Sequence, residues 1–270
     1  MKEIGIIGGG QMAEALIRGF LEKNLFTPEN ILVSEPIDQR RTYLEKNYKI
    51  NTTSSNLDVI KQRKIIILAV KPQVMKKVLE EIKDFIEVKK HLILTIAAGL
   101  PINFYEKILP SKIKLIRIMP NTCAIVHQAI SAISKNPFAT EEDLKITQEI
   151  FSAIGETIIV DEDLMDGVTA LSGSGPAYVA LFIEAFIDAG VRMGLPREIA
   201  KKLTLKTFSG TIKLIEETKK NPYEIKSMVT SPAGTTITAI QEFYERGLPG
   251  IIISGIYKAY LRSKELSTFS

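Results

Sequence analysis

The feature that most constrains the fold is the segment Gly8-Gly9-Gly10-Gln11-Met12-Ala13, which directly follows the β-branched run Ile4–Ile7 and opens an amphipathic stretch. It fits the pattern G-x-G-x-x-A. In that pattern Gly8 allows a tight turn off the strand, Gly10 lets a pyrophosphate approach the backbone, and Ala13 permits close packing of helix on strand. Phosphates held there sit on the positive end of a helix. In its strand-turn-helix context the segment implies a dinucleotide site. The glycines alone do not separate a nicotinamide from a flavin or an adenosylmethionine ligand.

The rest of the first 160 residues repeats that alternation. Strands are predicted at Ile4–Ile7, Ile31–Ser34, 65–70, 92–96, 115–119, 131–134 and 157–160, with helices near 12–23, 38–47, 72–85, 102–108 and 141–154. Consecutive apolar residues in several strands are what a parallel sheet covered on both faces requires. The reading is a Rossmann-type, doubly wound α/β domain over 1–161. From 162 to 270 strand signals nearly stop. Helices punctuated by Gly194-Leu195-Pro196, Asn221-Pro222, Ser231-Pro232 and Gly247-Leu248-Pro249 make an all-helical C-terminal domain.

Composition excludes several classes. The chain has 270 residues, 45% hydrophobic and 24% charged, with a net charge of +4. Its basic residues are scattered pairs, such as Lys76-Lys77 and Lys201-Lys202, so no nucleic-acid stripe is expected. One cysteine, Cys123, rules out a disulfide framework, and two histidines leave a metal site poorly supplied, so no metal is expected. The longest apolar stretches fall far short of the roughly 20 residues needed to cross a bilayer, and the N-terminus does not read as a signal peptide. A cytoplasmic protein without a membrane partner is expected.

Between Pro176 and Met193 the charges Glu184, Asp188 and Arg192 share one narrow stripe. Tyr178, Val179, Leu181, Phe182, Ile183, Phe186 and Ile187 cover the remaining circumference. A helix apolar on most sides must be buried on most sides, and a domain of about 110 residues has few layers to hide it, which favours burial against a second subunit.

Four further segments carry chemistry. The second strand ends in Ser34-Glu35, where a carboxylate accepts hydrogen bonds from ribose hydroxyls and repels a 2′-phosphate. Ser34, Arg40 and Arg41 are close enough in sequence to pair with that phosphate instead, so NADH and NADPH both stay open, with a lean to NADH. Ser231-Pro232-Ala233-Gly234-Thr235-Thr236 makes a loop whose amides converge at a helix start, either an anion nest with added hydroxyl donors or an ordinary capped helix. Leu171–Tyr178 places small residues before a helix, as a pocket lining or a plain turn. The loops at 69–73, 96–99 and 119–122 fall at the C-terminal sheet edge, where such folds bind ligands.

Together these segments resemble the pyrroline-5-carboxylate reductases through essentially the whole chain. The matches are Gly8–Ala13, Ala69-Val70-Lys71-Pro72, Ala97-Ala98-Gly99, Met119-Pro120-Asn121-Thr122, Ser172–Tyr178, Gly194-Leu195-Pro196 and, most specific, Ser231–Thr236. The resemblance implies that Gly8, Gly10, Gln11 and Met12 contact the phosphates of NADH or NADPH. It places Asn56 on the adenosine side, Val70, Lys71 and Pro72 along the cofactor, and Ala97, Ala98 and Asn121 near the nicotinamide. It gives the substrate carboxylate to Ser231, Ala233, Gly234, Thr235 and Thr236, with Thr236 approaching the ring nitrogen as the catalytic group. It also implies a homodimer through entwined helical domains, in some members a decamer of five dimers.

Three departures stand out. Ala233 replaces a usual glycine, which is tolerable if it avoids φ > 0. Cys123 replaces a usual proline, which would loosen its loop. Glu35 stands where NADPH-preferring members carry a small hydroxyl residue. Two rivals are weaker. β-Hydroxyacid dehydrogenases are similar in plan but carry a catalytic lysine on the first long helix of the second domain, and 178–187 contains none. A non-catalytic dinucleotide sensor needs no anion nest.

Overall fold

The computed structural model describes residues 3–268. Eight strands form one sheet: β1 (Ile4–Ile7), β2 (Ile31–Ser34), β3 (Asn51–Thr53), β4 (Ile65–Leu68), β5 (Leu92–Thr95), β6 (Lys114–Met119), β7 (Ala129–Lys135) and β8 (Gly155–Ile159). Their order is β3-β2-β1-β4-β5-β6-β7-β8. All neighbours are parallel except β6 and β7. The order reverses between β1 and β4, and ligands of open α/β sheets bind outside the strand ends at such a reversal.

Helices α1 (Gln11–Glu22), α2 (Asp38–Tyr48), α3 (Asn56–Gln62), α4 (Pro72–Ile82), α5 (Ile102–Glu106) and α6 (Glu141–Phe151) accompany this sheet. Alternate β1 residues divide between its faces. Ile4 and Ile6 pack with Leu16, Ile17 and Phe20 of α1 and Phe151 of α6, while Ile7 packs with Val59 and Ile60 of α3 and Leu79 of α4. Each face therefore carries its own apolar layer, as a doubly wound fold requires.

The remaining helices are α7 (Met165–Val168), α8 (Gly175–Arg192), α9 (Arg197–Thr218), α10 (Pro222–Met228), α11 (Thr235–Glu245) and α12 (Leu248–Thr268). Two compact units result, Met1–Ser174 with Ala259–Ser270, and Gly175–Lys258. The tail of α12 closes onto the first unit, where Ser263 and Ser267 donate to Asp166 Oδ1 at 2.6 and 3.1 Å.

Four details differ from the sequence reading. β3 and α3 were not expected, and β7 runs antiparallel to β6 where an all-parallel sheet was expected. The start of Leu171–Tyr178 is not a plain interhelical turn, because Thr169–Gly173 is π-helical and leads towards α8. Finally, the continuous helical stretch Glu162–Arg192 is long and apolar enough by length and composition to cross a membrane, although no single apolar run in the sequence is. Only 11% of its most apolar window is buried within the chain.

Candidate active site

The glycine turn is built from both sides. Gly8 has φ +104°, and a Cβ there would lie 2.9 Å from the Ala69 carbonyl group, so the turn is packed directly against the end of β4. Gly8 N donates to Ser34 O at 2.8 Å and Ala69 N to Ile7 O at 2.8 Å, joining the ends of β1, β2 and β4. A Cβ on Gly10 would meet nothing within 4 Å. Gly10 is exposed and is the N-cap of α1, with no side-chain cap. The first-turn amides of α1 are therefore left without a capping side chain above an open cradle, as a phosphate would require. These residues fit a dinucleotide.

Glu35 is 8% exposed, and both of its carboxylate oxygens accept backbone hydrogen bonds, Oε2 from Gly9 N at 2.9 Å and Oε1 from Ile37 N at 3.0 Å. It latches the glycine turn to the loop after β2. On the other side of the turn, Arg40 donates to Gly9 O at 2.6 Å and Gly10 O at 3.3 Å and pairs with Glu14 at 2.5 Å. Glu14 Oε1 also accepts from Tyr43 at 2.9 Å and Tyr48 at 2.7 Å. Burial alone would raise the Glu14 pKa, but hydrogen bonds from Tyr48, Arg40 and Tyr43 outweigh it and hold the carboxyl below its ordinary range. This clamp escaped the sequence reading, because 26 residues and two elements separate Glu14 from Arg40. Asn56 accepts from Ser34 Oγ at 2.7 Å and donates to Glu81 at 2.9 Å, so its amide is held at the end of β2.

Val70, Lys71 and Pro72 follow β4, Ala97 and Ala98 follow β5, and Asn121 follows β6, all at the same sheet edge. Beside them a cavity of about 850 Å³ is lined by Pro72, Ala98, Phe104, Lys107 and Arg262 among others. Asn121 has two tasks. Its Oδ1 accepts from Cys123 N at 3.2 Å, a bond that proline could not make, so Cys123 ties this loop where loosening was expected. Its Nδ2 donates to Ser172 O at 3.3 Å. In a continuous helix that carbonyl would accept from residue 176, but Pro176 has no N–H. Asn121 thus satisfies the carbonyl that Pro176 leaves open. A Cβ on Gly173 would come within 2.4 Å of Met119 Cε, so the thioether end of Met119 packs directly on this backbone.

In the helical unit, Gly234 caps α11 without any side-chain hydrogen bond, so of the two readings of the Ser231–Thr236 loop the ordinary capped helix does not hold. A Cβ on Gly234 would fall 2.4 Å from Ser231 Oγ and 3.3 Å from Ser231 O, so the loop packs closely on its own helix start. The amides opening α11 lack a capping side chain, and Thr235 and Thr236 line its first turn with their hydroxyls. Ala233 adopts φ +55°, in the left-handed region, so the condition under which it would replace glycine without strain is not met. That backbone costs a non-glycine residue about 1 kcal/mol. Among the described residues no cluster of three or more His, Cys, Asp or Glu could hold a metal.

A doubly wound sheet with a G-x-G-x-x-A turn at its reversal point, followed by a helical unit with a second uncapped helix start, defines the class of Rossmann-type dinucleotide-binding proteins with a helical second unit. Comparison with known proteins narrows this. Residues 162–266 match the model for pyrroline-5-carboxylate reductase dimerisation, and 3–99 match that for NADP oxidoreductase, coenzyme F420-dependent. The chain is 43% identical over 98% of its length to the pyrroline-5-carboxylate reductase of Synechocystis, covering 98% of that protein. The pyrroline-5-carboxylate reductase of Coxiella burnetii superposes with a TM-score of 0.92 at 32% identity, over 98% of each chain. Pyrroline carboxylate reductase of Plasmodium falciparum, solved with NADP bound, gives 0.89 at 32% identity, again over 98% of each chain. The chain belongs to the pyrroline-5-carboxylate reductase family.

Proposed function

We propose that this protein reduces 1-pyrroline-5-carboxylate to L-proline with NADH or NADPH, the last step of proline synthesis. The observation that carries the reading is full-length membership of the family together with two separate anion-ready helix starts, one in each unit. When bound, the nicotinamide supplies the hydride that reduces the C=N bond. Gly8, Gly10, Gln11 and Met12 hold the phosphates, Ser34, Glu35 and Asn56 face the adenosine end, Val70, Lys71 and Pro72 flank the cofactor, and Ala97, Ala98 and Asn121 border the nicotinamide. The amides and hydroxyls of Ser231, Ala233, Gly234, Thr235 and Thr236 hold the substrate carboxylate.

A protonated imine is already electrophilic, so orientation supplies most of what the protein must add, and no strong acid is needed. Thr236 is the group placed to hydrogen-bond the ring nitrogen. Functionally the chain divides into a nucleotide-binding part, 1–161, and a substrate and dimerisation part, 162–270. The exposed apolar face of α8 belongs in a homodimer, with a decamer of five dimers as the larger assembly, and a second copy in place of lipid covers the apolar stretch 162–192. A cytoplasmic location and the absence of a nucleic-acid partner complete the reading. The test follows oxidation of NADH and NADPH separately with 1-pyrroline-5-carboxylate. Turnover with either confirms the reductase. A folded protein that binds dinucleotide but turns over neither would instead be a sensor.

A further inference from the structure

Ser34, Arg40 and Arg41, the groups a 2′-phosphate would seek at the end of β2, each carry hydrogen bonds within the protein. Ser34 is 1% exposed and its hydroxyl donates to Asn56. Arg40 donates Nε to Gly9 O and Nη2 to Gly10 O and Glu14. Arg41 donates Nη1 to the carbonyls of Glu35 and Pro36, at 2.7 and 3.1 Å, and Nη2 to Asp38 at 2.8 Å. Either arginine could turn its whole guanidinium to a phosphate only by giving up contacts to backbone carbonyls and a carboxylate.

Glu35 is fixed by the opposite logic. Swinging its carboxylate aside would strip two backbone amides, Gly9 N and Ile37 N, of their acceptor, and a buried unpaired donor is costly. Gly9 itself is hemmed in, since a Cβ there would lie 3.2 Å from Glu35 Oε2. The negative charge is therefore held against the glycine turn. Each of its oxygens keeps a second lone pair, which a ribose hydroxyl can use and a phosphate cannot.

We propose that this chain selects the dinucleotide without a 2′-phosphate, NADH, and that Glu35 sets the choice as an anion immobilised by the turn it latches. The inference rests on the NAD(P)H reading above. The arginines brace the glycine turn and the loop after β2.

The test is a fluorescence titration of the full-length protein with NADH and NADPH, and a competition between AMP and adenosine 2′,5′-bisphosphate, neither of which requires turnover. NADH should bind at least about tenfold more tightly, equivalent to about 1.4 kcal/mol. Glu35→Gln keeps an oxygen for Gly9 N but removes the charge, so NADPH should tighten about tenfold while NADH moves by less than about threefold. Arg40→Ala should weaken both nucleotides alike. Equal affinities in the unaltered protein would overturn the proposal, and that comparison needs no variant to fold. So would a Glu35→Gln protein in which both nucleotides shift equally, or an Arg40→Ala protein that loses NADPH alone. If a folded protein bound neither nucleotide, the NAD(P)H reading would fail instead.

Discussion

The two units bury their apolar residues to very different degrees. In the α/β unit β1, β2 and β5 are buried end to end, and Phe20, Tyr105 and Phe151 are fully enclosed. In the helical unit α8 buries only Gly190, and α11 buries no residue at all. Leu181 is 65% exposed and Ile253 70% exposed. One unit carries its core within one chain, whereas the other has an apolar surface too large to leave in water. The dimerisation model over 162–266 matches where that surface lies. The lesson is that stability and assembly are separate properties of separate stretches, and variants should divide them.

The largest effect is expected from Leu181→Asp, which places an unpaired charge on the apolar face. Sedimentation should find a monomer, and activity should disappear, while the circular dichroism of the α/β unit persists. An intact oligomer would break the comparison. Next comes a pair of glycines six atoms apart along the backbone. Gly10→Ala should leave the melting temperature unchanged, because its Cβ meets nothing, but weaken dinucleotide binding by at least about tenfold by filling the cradle. Gly8→Ala should instead lower stability by about 2 kcal/mol, through strain at φ +104° and collision with Ala69. Titration and thermal melting separate the two.

Thr236→Ala should cut kcat about tenfold, the value of one hydrogen bond, with dinucleotide affinity retained. Unchanged kcat would remove Thr236 from the mechanism. A gentler effect concerns pH. His91 is buried in the α/β unit, where Nδ1 accepts from Glu87 N at 2.9 Å, leaving Nε2 to donate to Ile60 O at 3.1 Å. This neutral form, favoured chiefly by burial and then by the nearby Lys90 charge, holds the pKa below 6.5. The unfolded chain therefore binds more protons in that window. Stability should be complete above about pH 6.5 and fall as pH drops through the lower folded value, as denaturant midpoints at several pH values would show. Smallest of all, Ala233→Gly should raise stability by about 0.5 kcal/mol or leave it unchanged, since relief of the φ +55° strain is offset by added chain entropy.

Much of this architecture was legible in residue order, and the exceptions have physical reasons. Long β-branched runs announce β1, β2, β4 and β5 because buried parallel strands have no polar face. Asn51-Thr52-Thr53 does not announce β3, since an edge strand of three polar residues looks like a loop. The antiparallel β7 did leave a signal, as the nine residues between Met119 and Ala129 are too few for a parallel crossover. At the site, Glu35 was legible by position but not by partner, because a carboxylate's hydrogen bonds depend on where Gly9 N points. The Asn121–Ser172 contact was half legible. Pro176 shows that a carbonyl goes unpaired, but not which side chain pairs with it.

The return of α12 to the first unit has a consequence for how the protein is made. Asp166 is translated about a hundred residues before Ser263 and Ser267, and the cavity beside Ala98 waits for Arg262 and Leu266 to complete its wall. At about 5–20 residues per second, the sheet has several seconds on the ribosome with that wall missing. The emerging α/β unit can close its two apolar layers early. Its ligand-facing edge is finished only once α12 has appeared, so a nascent protein cut short before α12 would carry a folded sheet with an open flank.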